Sequence, residues 1–213
     1  YGIMGDFDSG RKFAKEAQEI FEKSYDVFGL ANVAQTTGVI DYISGNLDEA
    51  LAQTMIAYDK MVEMDNVLGQ INAMNNISGI LADMQHIDEG IIWLKKTAAL
   101  CKKTDQNLAG IMARSNLGEL YLMKGELNTA FLYVDSARVQ AEALNYLEVL
   151  PNVYSTLYRV SLAKEDYKNA LRYNEKMFVL RDSIYSKEVS VEVDELKIRY
   201  EVEKKEKELV LAQ

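Results

Sequence analysis

The sequence predicts an all-α fold of repeated antiparallel helix pairs, and three observations carry this prediction. The chain has 213 residues and a single proline, Pro151, so long helices meet few interruptions. Strand-like alternation of valine, isoleucine and threonine is scarce. Marker residues recur with one constant period, without a gap, along most of the chain. A helical repeat of this kind predicts an α-solenoid, in which each pair buries its apolar face against the next.

Composition excludes several classes of function. Apolar residues make up 48% of the chain and charged residues 27%, which is typical of a folded protein. The net charge of −9 leaves no basic stripe for a duplex, so nucleic acid is not an expected partner of these residues. No apolar run approaches the roughly 20 residues that span a bilayer. Cys101 is the only cysteine, which excludes an internal disulfide and fits either a reducing compartment or a periplasm.

The repeat is clearest in four segments of equal length, which are TTGVIDYISGNLDEAL (36–51), NISGILADMQHIDEGI (76–91), NLGELYLMKGELNTAF (116–131) and TLYRVSLAKEDYKNAL (156–171). A small residue near the start of each predicts a close helix crossing, with Tyr158 as the exception. Gly45 and Gly125 are expected to adopt the left-handed conformation that ends a helix. Small residues are expected where the second helix touches the first, at Ala50, Gly90, Ala130 and Ala170.

The register also divides the chain. Residues 29–66, 67–106, 107–146 and 147–186 form four predicted repeats. One step back from Gly45 falls on Gly5, so residues 1–28 carry the end of a first helix, a turn and a second helix. A repeat cannot bury its apolar face without both helices, so the natural protein is expected to begin before Tyr1.

The last segment breaks the pattern. Residues 187–213 contain no glycine or proline and are predicted to form a long capping or connector helix. A four-three seam runs through Val189, Val193, Leu196 and Tyr200 but fails at Glu203. The mixed charges that follow are typical of a solvated helix.

The segment NLGELYLMKGELNTAF resembles the tetratricopeptide repeat signature, in which a small-residue crossing, an aromatic residue, a turn glycine and an alanine occur in this order. The usual period is about 34 residues. The period of 40 in this chain is similar to the longer variant of several bacterial signalling proteins. The resemblance covers residues 29–186 and implies a tetratricopeptide α-solenoid with a long C-terminal helix.

A second resemblance concerns the setting. LRDSIY (180–185) and YEVEKKEKEL (200–209) resemble a junction in Bacteroidetes-type signalling proteins. There, periplasmic tetratricopeptide repeats precede a transmembrane helix and a cytoplasmic histidine kinase or LuxR-type domain. The resemblance implies a periplasmic sensor, anchored through a membrane segment outside this chain. The alternative setting is the cytoplasm.

Residues capable of catalysis are few. His86 lies at a predicted turn without a nucleophile or an orienting acid, and Cys101 lies in a second helix beside two lysines. We expect an exposed turn histidine, a packed cysteine and a packing role for Trp93. No cluster has metal-ligand spacing and no glycine-rich phosphate loop occurs. The sequence therefore predicts no enzyme, no metal and no cofactor.

In this fold the first helix of each repeat lines an inner groove. The predicted protein- or peptide-binding residues are Asn32, Gln35, Asn72, Asn75, Asn76, Ser115, Asn116, Asn152, Ser155 and Arg159. Amides can donate to and accept from an extended peptide backbone without reading its side chains. The alternative is that they only solvate the groove or bond one another. A carboxylate clamp of the chaperone-binding kind is not expected, because Arg114 and Arg159 fall in different registers without a lysine.

Three functions remain open at this stage. The favoured one is a non-catalytic protein- or peptide-binding module, the sensory part of a membrane-anchored signal transduction or transcription regulatory protein. The second is a free-standing cytoplasmic scaffold for complex assembly. The third is a peptide-responsive regulator that inhibits a partner enzyme or transcription factor. Homodimerisation is left open.

Overall fold

The structure is a computed structural model, and it describes residues 7–183. Within this range all regular structure is α-helical, which confirms the predicted fold class. The helices are α1 (Phe7–Ser24), α2 (Val27–Ile43), α3 (Leu47–Glu63), α4 (Val67–Asp83), α5 (Ile87–Lys103), α6 (Asn107–Met123), α7 (Leu127–Ala143), α8 (Leu150–Ala163) and α9 (167–183). The predicted helix at 187–213, the opening residues 1–6 and the end of the fourth repeat lie outside the described residues.

The chain forms two compact units, residues 1–140 and 141–213, with the boundary inside α7. In the first unit each helix from α1 to α6 packs against the next one along the chain. In the described part of the second unit, Tyr154 of α8 stacks on Tyr173 of α9 with ring centroids 6.1 Å apart. Odd-numbered helices are the second members of the predicted pairs, and even-numbered helices are the first members.

The helices end in one repeated motif. At each end a residue with positive φ is followed by a backbone N–H that bonds to the carbonyl five residues earlier, as from Asn46 to Asp41 at 2.9 Å. Along the described range, the positive-φ residues are Tyr25, Gly45, Asp65, Gln85, Asp105, Gly125, Asn145 and Glu165. Gly45 and Gly125 have φ of 82° and 81°, as predicted. The motif therefore recurs twice in every period of the repeat, although most of its members carry a side chain.

Replacing Gln85 with glycine is expected to raise the free energy of unfolding by about 1 kcal/mol, because a side chain costs about 1–2 kcal/mol in the left-handed helical region. Gln85 has φ of 66° and is exposed, so little else is lost. Gly45→Ala at the equivalent turn is the matched control and is expected to destabilise by a similar amount. Urea unfolding measures the change in the free energy of unfolding for each variant. If Gln85→Gly and Gly45→Ala changed it in the same direction, this explanation would be wrong.

Close helix crossings occur at the small residues that the sequence marks. Ser78 of α4 lies against α5, and its hydroxyl donates to the carbonyl of Gly90 at 3.0 Å. A Cβ atom added at Gly118 of α6 would overlap Cγ2 of Val134 on α7. A Cβ added at Gly38 of α2 would lie 2.8 Å from the hydroxyl oxygen of Thr54 on α3. These approaches fix how each first helix sits on its second helix.

Two of the first helices, α2 and α4, begin with side-chain caps, whereas Gln106 before α6 and Val149 before α8 make no such hydrogen bond. The Asp26 carboxylate accepts a hydrogen bond from the backbone N–H of Gly29 at 2.9 Å, and the Asn66 side chain accepts one from Gly69 at 3.0 Å. The helix α8 starts three residues later than the register predicts, and Pro151 occupies its first turn. The two side-chain caps therefore stabilise the starts of α2 and α4.

Candidate functional site

The even-numbered helices of the first unit each have one solvent-exposed stripe. On α2 the stripe consists of Phe28, Asn32, Thr36, Val39 and Ile43, and on α4 it consists of Leu68, Asn72, Asn76, Gly79 and Asp83. On α6 the same positions are Leu108, Met112, Asn116, the half-buried Glu119 and Met123. The spacing of four, four, three and four residues follows one face of an α-helix. Polar residues therefore lie mid-stripe, with an apolar residue at the start of each helix.

The predicted binding residues of this unit divide between the stripe and its edge. The exposed members are Asn32, Asn72, Asn76 and Asn116. Gln35 and Asn75 are half-buried, and Ser115 is buried with 8% of its surface exposed. The second group lies one residue before the stripe positions, so its side chains turn towards neighbouring helices. The structure thus brings four exposed amides onto the stripes and places three residues beside them.

A small cavity lies between the stripes of α2 and α4. Its volume is about 200 Å³, and Thr54 of α3 forms part of its wall. Both Asn75 and Asn76 line it, together with Gly79, where an added Cβ would meet no atom within 4 Å. The Oδ1 atom of Asn75 is buried and has no hydrogen-bond partner. A buried carbonyl oxygen without a hydrogen-bond donor lowers the stability of a protein. A ligand N–H that donates to this atom would therefore contribute more binding free energy than one that donates to an exposed amide.

A tyrosine joins the two helices at one end of the cavity. The hydroxyl of Tyr42 on α2 donates to Oδ2 of Asp83 on α4 at 2.6 Å. This hydrogen bond, together with partial burial, raises the pKa of Tyr42 above its usual value. The phenol therefore stays protonated throughout the neutral range and holds α2 beside α4. Sequence reasoning missed Tyr42 because it lies seven residues after Gln35, and the equivalent residues of the next repeats, Ala82 and Leu122, are apolar.

The stripes also carry apolar side chains that are not among the predicted binding residues. Phe28, Leu68 and Leu108 are 54%, 56% and 40% exposed, and Met112 is 46% exposed. Three of them share one position of the repeat register, which is the signal that identifies them. An amide row beside an apolar row can bond a peptide backbone and still contact its side chains.

A wider apolar groove of about 490 Å³ lies between α1 and α2. On α1 it is lined by Gly10, Phe13, Ala14 and Ala17, and Phe13 is 50% exposed. One period later the corresponding positions of α3 include Ala50, Thr54 and Ala57, which are buried, and Ala50 and Thr54 lie against Gly38 of α2. By register, the groove is therefore the place that a first helix fills in the later repeats.

In the second unit the predicted residues lie on α8. Asn152 and Arg159 are exposed, and Ser155 is half-buried. The opposite side of α8 carries Tyr154, whose hydroxyl donates to Oε1 of Glu142 and lies 3.3 Å from the ammonium of Lys176. The face with Asn152 and Arg159 is thus separate from the polar cluster that packs α8.

Solved structures with a similar architecture are known, although no family model and no curated protein matches the sequence. The chain superposes on the apo form of RapI with a TM-score of 0.77 and 18% identity, covering 87% of this chain and 68% of RapI. It superposes on a putative kinesin light chain from Podosopora anserina, described as having TPR-like repeats, with a TM-score of 0.68 and 12% identity over 86% and 90% of the two chains. The fold is tetratricopeptide-like.

A third tetratricopeptide-like neighbour is the Rap conjugation gene regulator of plasmid pLS20, solved in complex with the Phr* peptide. The TM-score is 0.53 and the identity 17%, over 83% of this chain. The chain spans 55% of that regulator, about half its length. Identities at this level establish the tetratricopeptide-like fold alone.

His86, Cys101 and Trp93 occupy an exposed helix start, a buried site and an aromatic contact, respectively. His86 is exposed at the start of α5, 3.3 Å from Glu89, and Cys101 is buried, which raises the pKa of its thiol. The Trp93 ring packs edge-on against Tyr58 at 5.2 Å. Across residues 7–183, no group of acidic, histidine and cysteine side chains is placed to hold a metal ion. In the same range, no helix is both long and apolar enough to cross a bilayer.

Proposed function

We propose that the protein is a non-catalytic module that binds an extended peptide, or an extended segment of a partner protein, along the stripes of α2, α4 and α6. The observation that carries the proposal is the buried Oδ1 atom of Asn75, which has no donor in a cavity between two stripes. A peptide N–H placed there would satisfy this atom. The exposed amides of Asn72, Asn76 and Asn116 continue the same surface.

Backbone recognition suits these side chains. An extended peptide presents one donor and one acceptor per residue, and an asparagine amide offers both in return. Phe28 and Leu68 flank the amides and would contact alternate side chains of the peptide. Gly79 leaves open space beside Asn76, so a backbone can approach α4 closely. The tetratricopeptide-like neighbour solved with the Phr* peptide supports a peptide as the ligand.

The wider role that we propose is sensory. The module would be the periplasmic sensory part of a membrane-anchored signal transduction or transcription regulatory protein. Binding would change how the repeats stack, and the segment after residue 186 would transmit the change towards the membrane. The resemblance of residues 180–209 to the junction of such proteins supports this setting. A cytoplasmic scaffold for complex assembly is the alternative, and it requires the same binding face.

The binding face can be tested by selection from a random-peptide phage library on the chain of residues 1–213. The selected peptide is then titrated against Asn75→Ala and Asn76→Ala. Asn75→Ala is expected to bind about 5- to 150-fold more weakly, because a lost hydrogen bond to a buried group costs about 1–3 kcal/mol. Asn76→Ala is expected to lose about 2- to 10-fold, because Asn76 is exposed and a typical hydrogen bond contributes about 0.5–1.5 kcal/mol. Gln18→Ala on α1 is the matched control, since Gln18 is an exposed amide whose Nε2 donates to Oε1 of Glu22 on the same helix.

Stability measurements separate a binding role from a structural one. Asn75→Ala removes an unpaired buried oxygen, so its free energy of unfolding is expected to stay level or rise. Failure to select any peptide, or equal affinity of all three variants and the parent chain, would contradict the proposed binding face.

The setting has its own test in the gene. An apolar span of about 20 residues encoded after Gln213, with a signal peptide upstream, would support the periplasmic sensor. A stop codon soon after Gln213 without an export signal would favour the cytoplasmic scaffold. This result leaves the binding test untouched.

A further inference from the structure

A third cavity lies away from the amide stripes, where α5 and α7 finish and α6 begins. Its volume is about 520 Å³. Its lining residues are Ala98, Ala99, Cys101 and Lys102 of α5, Asp105 and Gln106 of the turn, Asn107, Gly110 and Arg114 of α6, and Tyr133 and Gln140 of α7. All of them belong to the first compact unit.

Arg114 is the unusual member of this lining. The side chain is half-buried, and its Nε atom is buried without an acceptor. A terminal nitrogen donates to Oε1 of Gln140, whose amide nitrogen donates in turn to Oδ1 of Asn107 at 3.2 Å. Among residues 7–183 no carboxylate lies within ion-pair distance of Arg114, so the protein holds this cation in place with neutral amides alone.

The repeat does not require an arginine at this position. The equivalent residues are Ala34, Met74 and Tyr154, and all three are at most 5% exposed. Replacing such residues by arginine adds a desolvation cost, and the same burial lowers the pKa of Arg114. A costly departure from a repeat pattern is expected at a functional position.

The cavity wall accommodates the guanidinium and leaves space beside it. Gly110 faces the arginine, and an added Cβ would lie 3.6 Å from Nη1 of Arg114 and 3.3 Å from Cβ of Cys101. Tyr133 supplies an aromatic wall and is held by stacking on Tyr121, with ring centroids 5.4 Å apart. The space is thus apolar on one side and bounded by a fixed cation and amides on the other.

We propose that this cavity is a second ligand site, in which Arg114 binds the carboxylate of a small monoanionic organic acid. The planar guanidinium fork matches a carboxylate, and Asn107 and Gln140 add amide groups beside it. Lys102 is a second cation and Asp105 a carboxylate on the same lining, so the cavity carries a small net positive charge. That balance favours a monoanion over a phosphate dianion. The site is independent of the peptide-binding stripes.

Thermal unfolding of the chain of residues 1–213 in sodium benzoate tests the site, with benzamide as the uncharged isostere and sodium chloride at equal ionic strength. Benzoate at ten times its Kd is expected to raise the Tm by about 3–6 °C, whereas benzamide and chloride leave it unchanged. Arg114→Met, which copies the residue at Met74, is expected to abolish the response. Arg138→Met is the matched control, because Arg138 pairs with Asp135 at 2.7 Å on α7 and does not line the cavity.

Each outcome decides the proposal. A saturable benzoate response that persists in Arg138→Met and disappears in Arg114→Met supports the site. A response to inorganic phosphate but not to benzoate overturns the assignment to carboxylates. If no anion shifts the Tm of the parent chain, or if Arg114→Met responds like the parent, Arg114 is a structural residue and the proposal is wrong.

Discussion

Ile77→Ala is expected to lower the free energy of unfolding by about 2–5 kcal/mol. Ile77 lies on α4 and is 0% exposed, and α4 packs against both α3 and α5. Truncation removes buried methyl groups and leaves a cavity that the neighbouring helices close only in part. The effect should appear as a lower urea midpoint, measured by circular dichroism on the chain of residues 1–213.

The adjacent residue provides the control for this substitution. Asn76 is exposed on the stripe of α4, so Asn76→Ala is expected to change stability by no more than about 0.5 kcal/mol while it weakens peptide binding. The two residues are adjacent in the sequence and point about 100° apart around the helix, one towards solvent and one into the core. If Asn76→Ala destabilised as strongly as Ile77→Ala, the faces assigned to α4 would be wrong.

The second large effect is expected at a helix crossing. Gly118→Ala should destabilise by about 1–3 kcal/mol, because overpacking outweighs the better helix propensity of alanine. The new Cβ would overlap Cγ2 of Val134 and lie 3.1 Å from the carbonyl oxygen of Ala130, and both residues are 0% exposed. Neither neighbour can move into solvent.

Two comparisons test this explanation. Gly79→Ala is the same substitution within a helix of equal length, but its Cβ meets nothing within 4 Å, so a gain of about 0.5–1 kcal/mol is expected. Adding Val134→Ala to Gly118→Ala provides space for the new methyl group, so the double variant should lose less than the sum of the single variants. If the loss of stability in the double variant equalled the sum of the losses in the two single variants, the contact with Val134 would not be the cause.

Much of the fold could be predicted from spacing alone. Gly38, Ser78 and Gly118 mark crossings that the structure confirms, and Gly45 and Gly125 mark left-handed turns. The turn at Gln85 could not be found from composition, because glutamine has no preference for positive φ. It is held there by the helices on both sides. Register, rather than residue type, is the information that locates these positions.

The candidate site was predicted less completely, for a geometric reason. Residues three apart on a helix, such as Asn32 and Gln35, differ in direction by about 60°, whereas residues four apart differ by about 40°. The exposed stripe follows Asn32 and Thr36, so Gln35 falls towards a neighbouring helix. Arg114 was considered only as part of a clamp, because its burial depends on Cys101 and Gln140, which are distant from one another in the sequence.

The uniform connections between helices have a consequence for the length of the protein. From α2 to α7 every helix has 17 residues, and the distance from one helix start to the next is constant. Insertion or loss of one full period at a junction would return each later side chain to its original surroundings, since one whole pair is added or removed. A change of half a period would reverse the direction of every later helix, and most other changes would turn apolar faces towards water. The molecule can therefore be lengthened or shortened only in whole pairs, so the size of its binding surface is also expected to change in steps of one pair.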